Sequence, residues 1–403
     1  MALIPLLILF LALYLLGGLL DNALISQVAV MVCVPLGISW LWLRAALKSI
    51  VYTRKIIYPN GFPGDQTEIT IRMQNKKWLP LSWIRMTDIW PKEIKPIHGS
   101  GIDGYRYSEE GKLTNIFNLR WQETVERKFT VQFTQRGVYH LGPVQAESGD
   151  FLGLFSRTKS IPGKETITVY PALLPLDAIH WLTDDPFGET SAQKKLFLDP
   201  NIVSGIRPYQ TGDRFRTIHW PASIKKGSLQ VKTFQPVTAK SIMIALNSST
   251  TEHPWMGFSS DMLEYAIQVS ASIAYYAIQA GYSVGLISNG YLTRSDHPFF
   301  LSPSASPEQL VRILTYLAMV SSYTNVKFEQ YLMQTTPKIP YGTSVVVVSG
   351  MTSDLLNETL MHLAAHRRNL SFYNLTDEAG SLPGIRQIHR PYLINRKGIS
   401  HAE

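Results

Sequence analysis

Residues 205–234 hold the polar side chains with the strongest potential for chemistry in this sequence. The segment reads GIRPYQTGDRFRTIHWPASIKKGSLQVKTF and lacks the apolar repeat of a core helix or strand. Asp213 and His219 form a candidate acid and base pair for hydrolysis, provided that the two groups come within hydrogen-bond reach. The chain has no H-E-x-x-H, G-x-S-x-G or Walker motif and no cysteine nucleophile with partners. We therefore expect a protein without catalytic activity, and hydrolysis by Asp213 and His219 is the alternative.

The same segment combines long cations with aromatic side chains. Arginine and aromatic residues are favoured at the energetic centres of interfaces, and a cationic face receives an acidic surface or a phosphate. A structural interpretation is also open, in which Asp213 caps the turn after Gly212 and pairs with a neighbouring arginine, Trp220 packs between domains, and the lysines are solvated. The candidate partner-binding residues are Arg207, Tyr209, Asp213, Arg216, His219, Trp220, Lys225, Lys226 and Lys232.

Composition limits the class of protein. The 403 residues are 45% hydrophobic, which is enough for two or three domains that each have a core. A formal charge of +8 favours an acidic partner or an anionic membrane surface. Nucleic-acid binding is disfavoured because the charges are dispersed and no recognition module is evident. Cys33 is the single cysteine, so disulfides within the chain are impossible.

Two uncharged runs at the N-terminus predict a membrane anchor. Residues 1–20 and 23–43 carry no charge, and a helix of either length spans about 30 Å of bilayer hydrocarbon. Residues 2–20 and 23–43 are therefore predicted to form a transmembrane helical hairpin with a tight turn. A cleaved signal peptide is disfavoured because the first run lacks a basic start and an A-x-A-like cleavage site.

Basic residues follow the second run, whereas Asp21 lies at the turn between the runs. The positive-inside bias then places both termini and the main domains in the cytoplasm, on a two-pass protein of the cell membrane. The same cations are also suited to contact with anionic headgroups. The basic residues are Arg44, Lys48, Arg54 and Lys55.

Short segments of alternating polarity follow the anchor. Turn dipeptides such as Asn60-Gly61 and Arg136-Gly137 separate them. Strands at this spacing predict an antiparallel β-sandwich over residues 56–175. The predicted strands include residues 67–73, 82–89, 124–134 and 138–145.

Strands alternate with helices over residues 237–403. This alternation predicts an α/β domain with a parallel sheet that is covered on both faces. Ligands on such sheets bind at the carboxyl ends of the strands, which points to the loops after Leu246 and Val348. Asp261 and Glu264 are expected to form a capping box at the start of one helix. The predicted elements include the strands 241–246, 282–287, 344–348 and 370–374 and the helix 354–366.

Residues 195–236, which join the two predicted domains, resemble the signature of the bacterial membrane family catalogued as domain of unknown function 58. Motifs at residues 136–143, 150–155 and 169–171 resemble the companion motifs of that family in the same order, so the resemblance covers essentially the whole chain. The signature positions are Gly205, Arg207, Tyr209, Gly212, Asp213, Arg216, Ile218, Trp220, Ala222, Ser223, Lys232 and Phe234.

The resemblance implies a fold and a set of partners. It implies a von Willebrand factor A-like, Rossmann-like domain after the signature, and association with a MoxR-type AAA+ ATPase and with a transglutaminase-like membrane protein. The family has no settled activity, so the resemblance indicates architecture better than function. We expect a membrane-anchored scaffold or adaptor that works with the ATPase in assembly or maturation of membrane or envelope complexes.

The resemblance also bears on metal binding. Von Willebrand factor A-like domains that bind a divalent cation use a D-x-S-x-S motif after the first strand, because a hard cation prefers carboxylate and hydroxyl oxygens. The matching positions here are Asn247, Ser249 and Thr251, which retain hydroxyls but not the carboxylate. We therefore expect no cofactor. The alternative is a cation-dependent, adhesion-like binding module that holds magnesium weakly at these three residues.

Overall fold

The structure is a computed structural model of the chain, and contacts between residues divide it into two compact units. The first unit is Met1–Pro171 and the second is Ala172–Glu403. The structure describes residues 3–20, 23–100, 105–150, 153, 155–163, 165–179, 197–210, 218–237, 241–252, 257–292, 298–321, 323–340, 342–366, 369–376 and 382–390.

Two apolar helices open the first unit, α1 (Leu3–Leu19) and α2 (Ala23–Ala46). The helices pack along each other, and a Cβ atom added at Gly17 would lie 2.7 Å from Ser26 Oγ, so the glycine permits their close approach. α1 has 17 residues and carries no charge. Among the described residues, α2 is the one helix that is long and apolar enough to cross a membrane by length and composition.

Mostly antiparallel sheets form the remainder of the first unit, as the sequence predicts. The strands are β1 (Ile50–Ile56), β2 (Asn60–Gly61), β3 (Gln66–Asn75), β4 (Leu81–Ile89), β5 (Ile94–Ser100), β6 (Tyr105–Ser108), β7 (Lys112–Leu119), β8 (Thr124–Phe133), β9 (Gly137–His140), β10 (Val144–Gly149), β11 (Ser156–Ile161) and β12 (Thr166–Val169). They form sheets in the orders β1-β3-β8-β5, β11-β10-β4-β7-β6 and β2-β12-β9, and β2 pairs with β12 in parallel. Every second side chain of β3 is buried, which matches its alternating sequence. Strand β1 begins before the predicted boundary at residue 56.

An ion pair lies inside this unit, where the sequence suggested a surface cation. Arg54 Nη1 lies 2.8 Å from Asp88 Oδ1, and the two side chains are 2% and 0% exposed. Arg54 Nη2 lies 2.7 Å from Glu165 Oε2 and donates to the Leu141 carbonyl over 3.2 Å. Arg54 is therefore not available to lipid headgroups, because its guanidinium joins β1, β4 and the segment before β10.

Two aromatic side chains complete the hydrogen bonding of the Asp88 carboxylate. Trp90 Nε1 donates to Asp88 Oδ2 over 2.8 Å, and the Tyr52 hydroxyl donates to the same oxygen over 3.0 Å. Burial raises the pKa of the Asp88 carboxyl, and the charge of Arg54 together with these hydrogen bonds opposes that rise. Burial likewise raises the pKa of the Tyr52 hydroxyl well above its usual value. The buried charge of Asp88 is therefore tolerated only while Arg54 and the two hydrogen-bond donors are in place.

A mixed sheet organises the second unit. Its strands and those of a separate hairpin are β13 (Phe197–Pro208), β14 (Gln230–Val237), β15 (Ser241–Asn247), β16 (Ser283–Tyr291), β17 (Pro298–Ser304), β18 (Ser344–Ser349), β19 (Leu370–Asn374) and β20 (Arg386–His389). The helices are α3 (Leu176–Ile179), α4 (Trp220–Lys226), α5 (Ser260–Gln279), α6 (Gln309–Met319), α7 (Phe328–Thr335) and α8 (Asp354–His366). The six-stranded sheet has the order β17-β16-β15-β18-β19-β20, and β13 pairs with β14 alone.

The prediction of a parallel sheet is wrong at one edge. β17 pairs with β16 in the antiparallel direction, whereas the pairs from β16 to β20 are parallel. Only six residues separate the end of β16 from the start of β17, and so short a connection joins antiparallel strands because a parallel pair needs a crossover of a dozen or more residues. The predicted capping box is also not the helix start. Ser259 caps α5 by accepting a hydrogen bond from Met262 N over 3.4 Å, and Asp261 lies within the first turn.

Candidate functional site

The helix α4 is fixed onto the β13–β14 hairpin by a compact set of hydrogen bonds. His219 is the N-cap, and its Nδ1 accepts from Ala222 N over 3.1 Å. Ser223 Oγ donates to the His219 carbonyl over 3.0 Å and accepts from Gln230 N over 2.8 Å. Gly227 ends the helix in the left-handed region with φ of 66°. The cap and the buried serine therefore hold a short helix in one orientation on its hairpin.

This rigid helix presents apolar side chains to solvent. Trp220 is 60% exposed and Ile224 is 81% exposed, and Leu229 follows the helix at 42%. Lys225 and Lys226 are exposed beside them. We call these five residues the α4 surface. A rigid aromatic and aliphatic patch with cations beside it is typical of the centre of a protein interface.

The structure brings only part of the predicted set onto that surface. Trp220 lies exposed on α4. His219 has a structural role through its Nδ1, and Arg207 Nη1 donates to the Pro208 carbonyl over 3.1 Å. Tyr209 and Lys232 are half-buried on the hairpin. Asp213 and Arg216 lie outside the described residues.

A second candidate site is a cavity of about 70 Å³ at the carboxyl ends of β15 and β18. It lies beside the two loops to which the sequence points. We call it the strand-end cavity, and its lining includes Asn247, Ser249, Thr251, Glu252, Lys327, Glu329 and Ser353.

Hydrogen bonds within the protein already occupy the predicted metal-binding groups. Asn247 Oδ1 accepts from Ser249 N over 3.0 Å, and Asn247 Nδ2 donates to Ser349 Oγ over 3.0 Å. Ser249 Oγ accepts from Asn289 Nδ2 over 3.2 Å. Thr251 Oγ1 donates to the Gly257 carbonyl over 2.8 Å. The amide of Asn247 thus presents a donor where a cation-binding carboxylate would present an acceptor.

Carboxylates nevertheless lie close to these hydroxyls, which the sequence reasoning missed. Glu252 and Glu329 both line the strand-end cavity. Glu329 is 7% exposed and lies in the first turn of α7, where a negative charge is favoured by the helix dipole. Ser353 Oγ lies 3.5 Å from Glu329 Oε1. A carboxylate in the first turn of a helix was the signal in the sequence, but no local pattern joins Glu329 to Asn247.

The lining mixes oxygen acceptors with donors, some of which are already engaged by protein groups. No group of three or more His, Cys, Asp or Glu side chains suited to a metal ion occurs within the described part of the chain. Lys327 adds a cationic side chain to the lining, which competes with a bound metal ion. The cavity is therefore a small polar pocket with mixed charge.

The model of the family described as "Protein of unknown function DUF58" matches residues 205–385. The match includes the α4 surface and the strand-end cavity, and it agrees with the resemblance seen in the signature residues. The chain is also similar to the "Uncharacterized protein YeaD" of Bacillus subtilis (strain 168). That relative is 22% identical over 313 residues, which cover 77% of this chain and 73% of the relative.

Solved structures are each similar to a part of the chain. The SpRpn10 VWA domain is 14% identical and has a TM-score of 0.28, over 38% of this chain and 89% of that one. The seventh ScaB type I cohesin from Pseudobacteroides cellulosolvens is 19% identical and has a TM-score of 0.21, over 31% of this chain and 97% of that one. TM-scores this low carry no argument about fold or function.

The hydrogen bonds of the Asn247 amide lead to a prediction for a variant that has the carboxylate of the D-x-S-x-S motif at this position. Asn247→Asp is expected to lower stability by about 2 kcal/mol, because it places a buried charge where the donor to Ser349 Oγ was. Thermal denaturation of the full-length chain in detergent measures the loss, with and without magnesium. Asn357→Asp, in the first turn of α8, controls for the added charge and should change little. Stabilisation of Asn247→Asp by magnesium would contradict this expectation and support the cation-dependent alternative.

Proposed function

We propose that the protein is a membrane-anchored cytoplasmic scaffold or adaptor without catalytic activity of its own. In this proposal it works with a MoxR-type AAA+ ATPase in the assembly or maturation of membrane or envelope complexes. The observation that supports it best is the α4 surface, where Trp220 and Ile224 are exposed on a helix that is held rigidly from beneath. Such preorganised apolar groups favour binding because little side-chain and backbone freedom is lost on association.

The ATPase as partner follows from the family resemblance, and so does a transglutaminase-like membrane protein as a further partner. The charge of the α4 surface adds chemical detail to the proposal. Lys225 and Lys226 would meet an acidic rim on the ATPase, and Trp220 and Ile224 would enter an apolar pocket there.

The proposal includes the topology of the anchor and the fold of the second unit. Both α1 and α2 cross the bilayer, and both termini, the sheets of the first unit and the whole second unit lie in the cytoplasm. The uncharged sequence of α1 and the cations after α2 support this arrangement. A reporter fused after Glu403 should therefore be active in the cytoplasm, and activity only outside the cell would contradict the orientation. The second unit is a von Willebrand factor A-like domain, which its central parallel strands and flanking helices support.

The two alternatives have weaker support. A cation-dependent module needs acceptors in the strand-end cavity, whereas Asn247 and Ser249 are engaged with protein groups there. A hydrolase would use His219, but its Nδ1 accepts a backbone hydrogen bond as a helix cap, which leaves only Nε2 for proton transfer.

Co-purification tests the partnership directly. The full-length chain, extracted from membranes in mild detergent, should retain a MoxR-type ATPase from the same cell. That association should depend on the α4 surface and survive changes to exposed residues elsewhere. Association that is unchanged when the α4 surface is altered would remove it as the docking site.

A further inference from the structure

One end of the β-sandwich carries two exposed tryptophans side by side. Trp78, in the loop from β3 to β4, is 74% exposed, and Trp121, in the loop from β7 to β8, is 64% exposed. Their ring centroids are 6.5 Å apart. Tryptophans are enriched at the level of lipid headgroups, where an apolar ring with one polar N–H is stable.

The first of these loops is fixed to the end of α2. Lys77 Nζ donates to the Ala45 carbonyl over 2.9 Å and also to the Ala46 carbonyl, both in the last turn of the helix. Lys76 N donates to the Ser49 carbonyl over 3.1 Å. Partial burial lowers the pKa of Lys77 to about 8, so the ammonium remains charged at neutral pH beside the negative end of the helix dipole.

The second loop is fixed to the first by a buried amide. Asn75 is fully buried, and its Nδ2 donates over 2.9 Å to both the Leu79 and the Arg120 carbonyls. Gln122 N donates to the Lys77 carbonyl over 3.2 Å. Both loops therefore hold one arrangement, and the two indole rings are presented without further ordering of the backbone.

The distance along α2 gives the depth of the two tryptophan loops relative to the bilayer. Trp40 lies six residues before Ala46, which is about 9 Å along the helix. Arg44 stacks over the Trp40 ring at 4.5 Å, a pairing typical of the boundary between hydrocarbon and headgroups. The headgroup layer adds about 5–7.5 Å beyond that boundary, so loops bonded to Ala45 and Ala46 lie at its outer edge.

Charge around the pair suits an anionic lipid surface. The exposed cations nearby are Lys48, Lys76 and Arg120. Glu123 is the acidic residue of the second loop, and its Oε2 accepts from Arg120 N over 2.6 Å, which uses one carboxylate oxygen within the loop. The balance of exposed charge at this edge is positive, as the cytoplasmic leaflet requires.

We propose that Trp78 and Trp121 insert into the headgroup layer of the membrane that α2 crosses, so that the sandwich rests on the lipid surface through this edge. The proposal rests on the proposed membrane anchoring by α2. It makes the anchor a three-part contact of helix end, tryptophan pair and cations. The orientation of the first unit against the bilayer is then fixed instead of free.

The test reads the depth of single labelled positions in the full-length chain. Cys33 is replaced by alanine, and an environment-sensitive fluorophore is attached through Lys76→Cys beside Trp78, or through Glu109→Cys as the matched control. Glu109 is exposed in the β6–β7 turn, at the other end of β4 and β7. Both proteins are placed in nanodiscs of phosphatidylcholine and phosphatidylglycerol that contain lipids spin-labelled near the headgroup.

Quenching by the spin-labelled lipid at residue 76 should exceed that at residue 109 by about threefold or more, because interfacial tryptophans hold the edge at headgroup depth. Trp78→Ala with Trp121→Ala should lower the excess by about half, because the hydrogen bonds of Lys77 to Ala45 and Ala46 still keep residue 76 near the helix end but no indole ring then holds the loop in the headgroups, while hydrogen exchange of the sandwich core stays unchanged. Equal quenching at the two positions, or quenching at residue 76 that the tryptophan changes leave intact, would overturn the proposal. Extraction of the chain from membranes by alkaline carbonate would instead overturn the anchoring on which it rests.

Discussion

Replacement of Asp88 by alanine is expected to destabilise the first unit by about 3–5 kcal/mol. The variant removes the carboxylate that lies 2.8 Å from Arg54 Nη1, and it leaves a guanidinium that is 2% exposed with Glu165 as its remaining charged partner. Trp90 Nε1 and the Tyr52 hydroxyl also lose their acceptor. Buried donors without partners add to the cost of the buried charge.

Hydrogen exchange of the full-length chain measures this loss within the first unit. Peptides from β4 and β8 should exchange faster in Asp88→Ala, because their opening requires less free energy. The matched control is Arg85→Ala on the same strand, since Arg85 pairs with Glu147 over 3.1 Å at 47% and 30% exposure and such pairs contribute about 0–1 kcal/mol. Replacement of both Arg54 and Asp88 by leucine should recover part of the stability, because the one carboxylate that then loses its partner Arg54, Glu165, is 30% exposed and reaches solvent. A loss in Asp88→Ala no larger than in Arg85→Ala would refute the interpretation.

The network also gives a physical reason for a motif that sequence reasoning tied only to a family. Residues 136–143 include Leu141, whose carbonyl accepts from Arg54. The next residue, Gly142, has φ of 87°, and a Cβ atom there would lie 3.0 Å from Arg54 Nη2. The motif therefore allows the backbone to pass close to a buried guanidinium.

Elements that depend on local chemistry were predictable from the sequence. The helix α8 and the strand β19 have the predicted bounds, because a run of buried apolar residues and an acidic helix start are both local signals. The position of the strand-end cavity was predictable as well, since it follows from the direction of parallel strands.

Contacts between distant residues were not predictable in this way. Arg54 and Asp88 are 34 residues apart, and no periodicity distinguishes a paired cation from one that marks membrane topology. Glu329 reaches the strand-end cavity through the start of α7, far in sequence from Asn247. The exposure of Trp220 depends on how α4 sits on its hairpin, which the Ser223 and Gln230 hydrogen bond decides.

The two exposed aromatic surfaces differ in what surrounds them, and the difference supports separate roles. The pair of Trp78 and Trp121 is bonded to the end of an apolar helix. The α4 surface belongs to the other unit and has an aliphatic side chain, Ile224, at its most exposed point. Lipid headgroups favour the first arrangement, and a shaped apolar pocket on a protein favours the second.

Truncation of Trp220 and Ile224 to alanine together is expected to weaken binding of the MoxR-type ATPase by about 100-fold, since central aromatic and aliphatic groups contribute most of the energy of an interface. The fold should be unaffected because the two side chains are 60% and 81% exposed. The affinity of the purified ATPase for the full-length chain in nanodiscs measures the effect. Val311→Ala on α6, at 50% exposure, is the matched control and should leave the affinity unchanged.

The neighbouring cations give an independent readout of the same interface. Lys225→Ala with Lys226→Ala should slow association and reduce its dependence on salt, while dissociation changes little, because charges at the rim of an interface act mainly on the encounter. The variant with both Trp220→Ala and Ile224→Ala should instead lose affinity through faster dissociation, as expected for an apolar centre with a cationic rim. An affinity within about threefold of the wild-type value after the double apolar truncation would exclude the α4 surface as the centre of the interface.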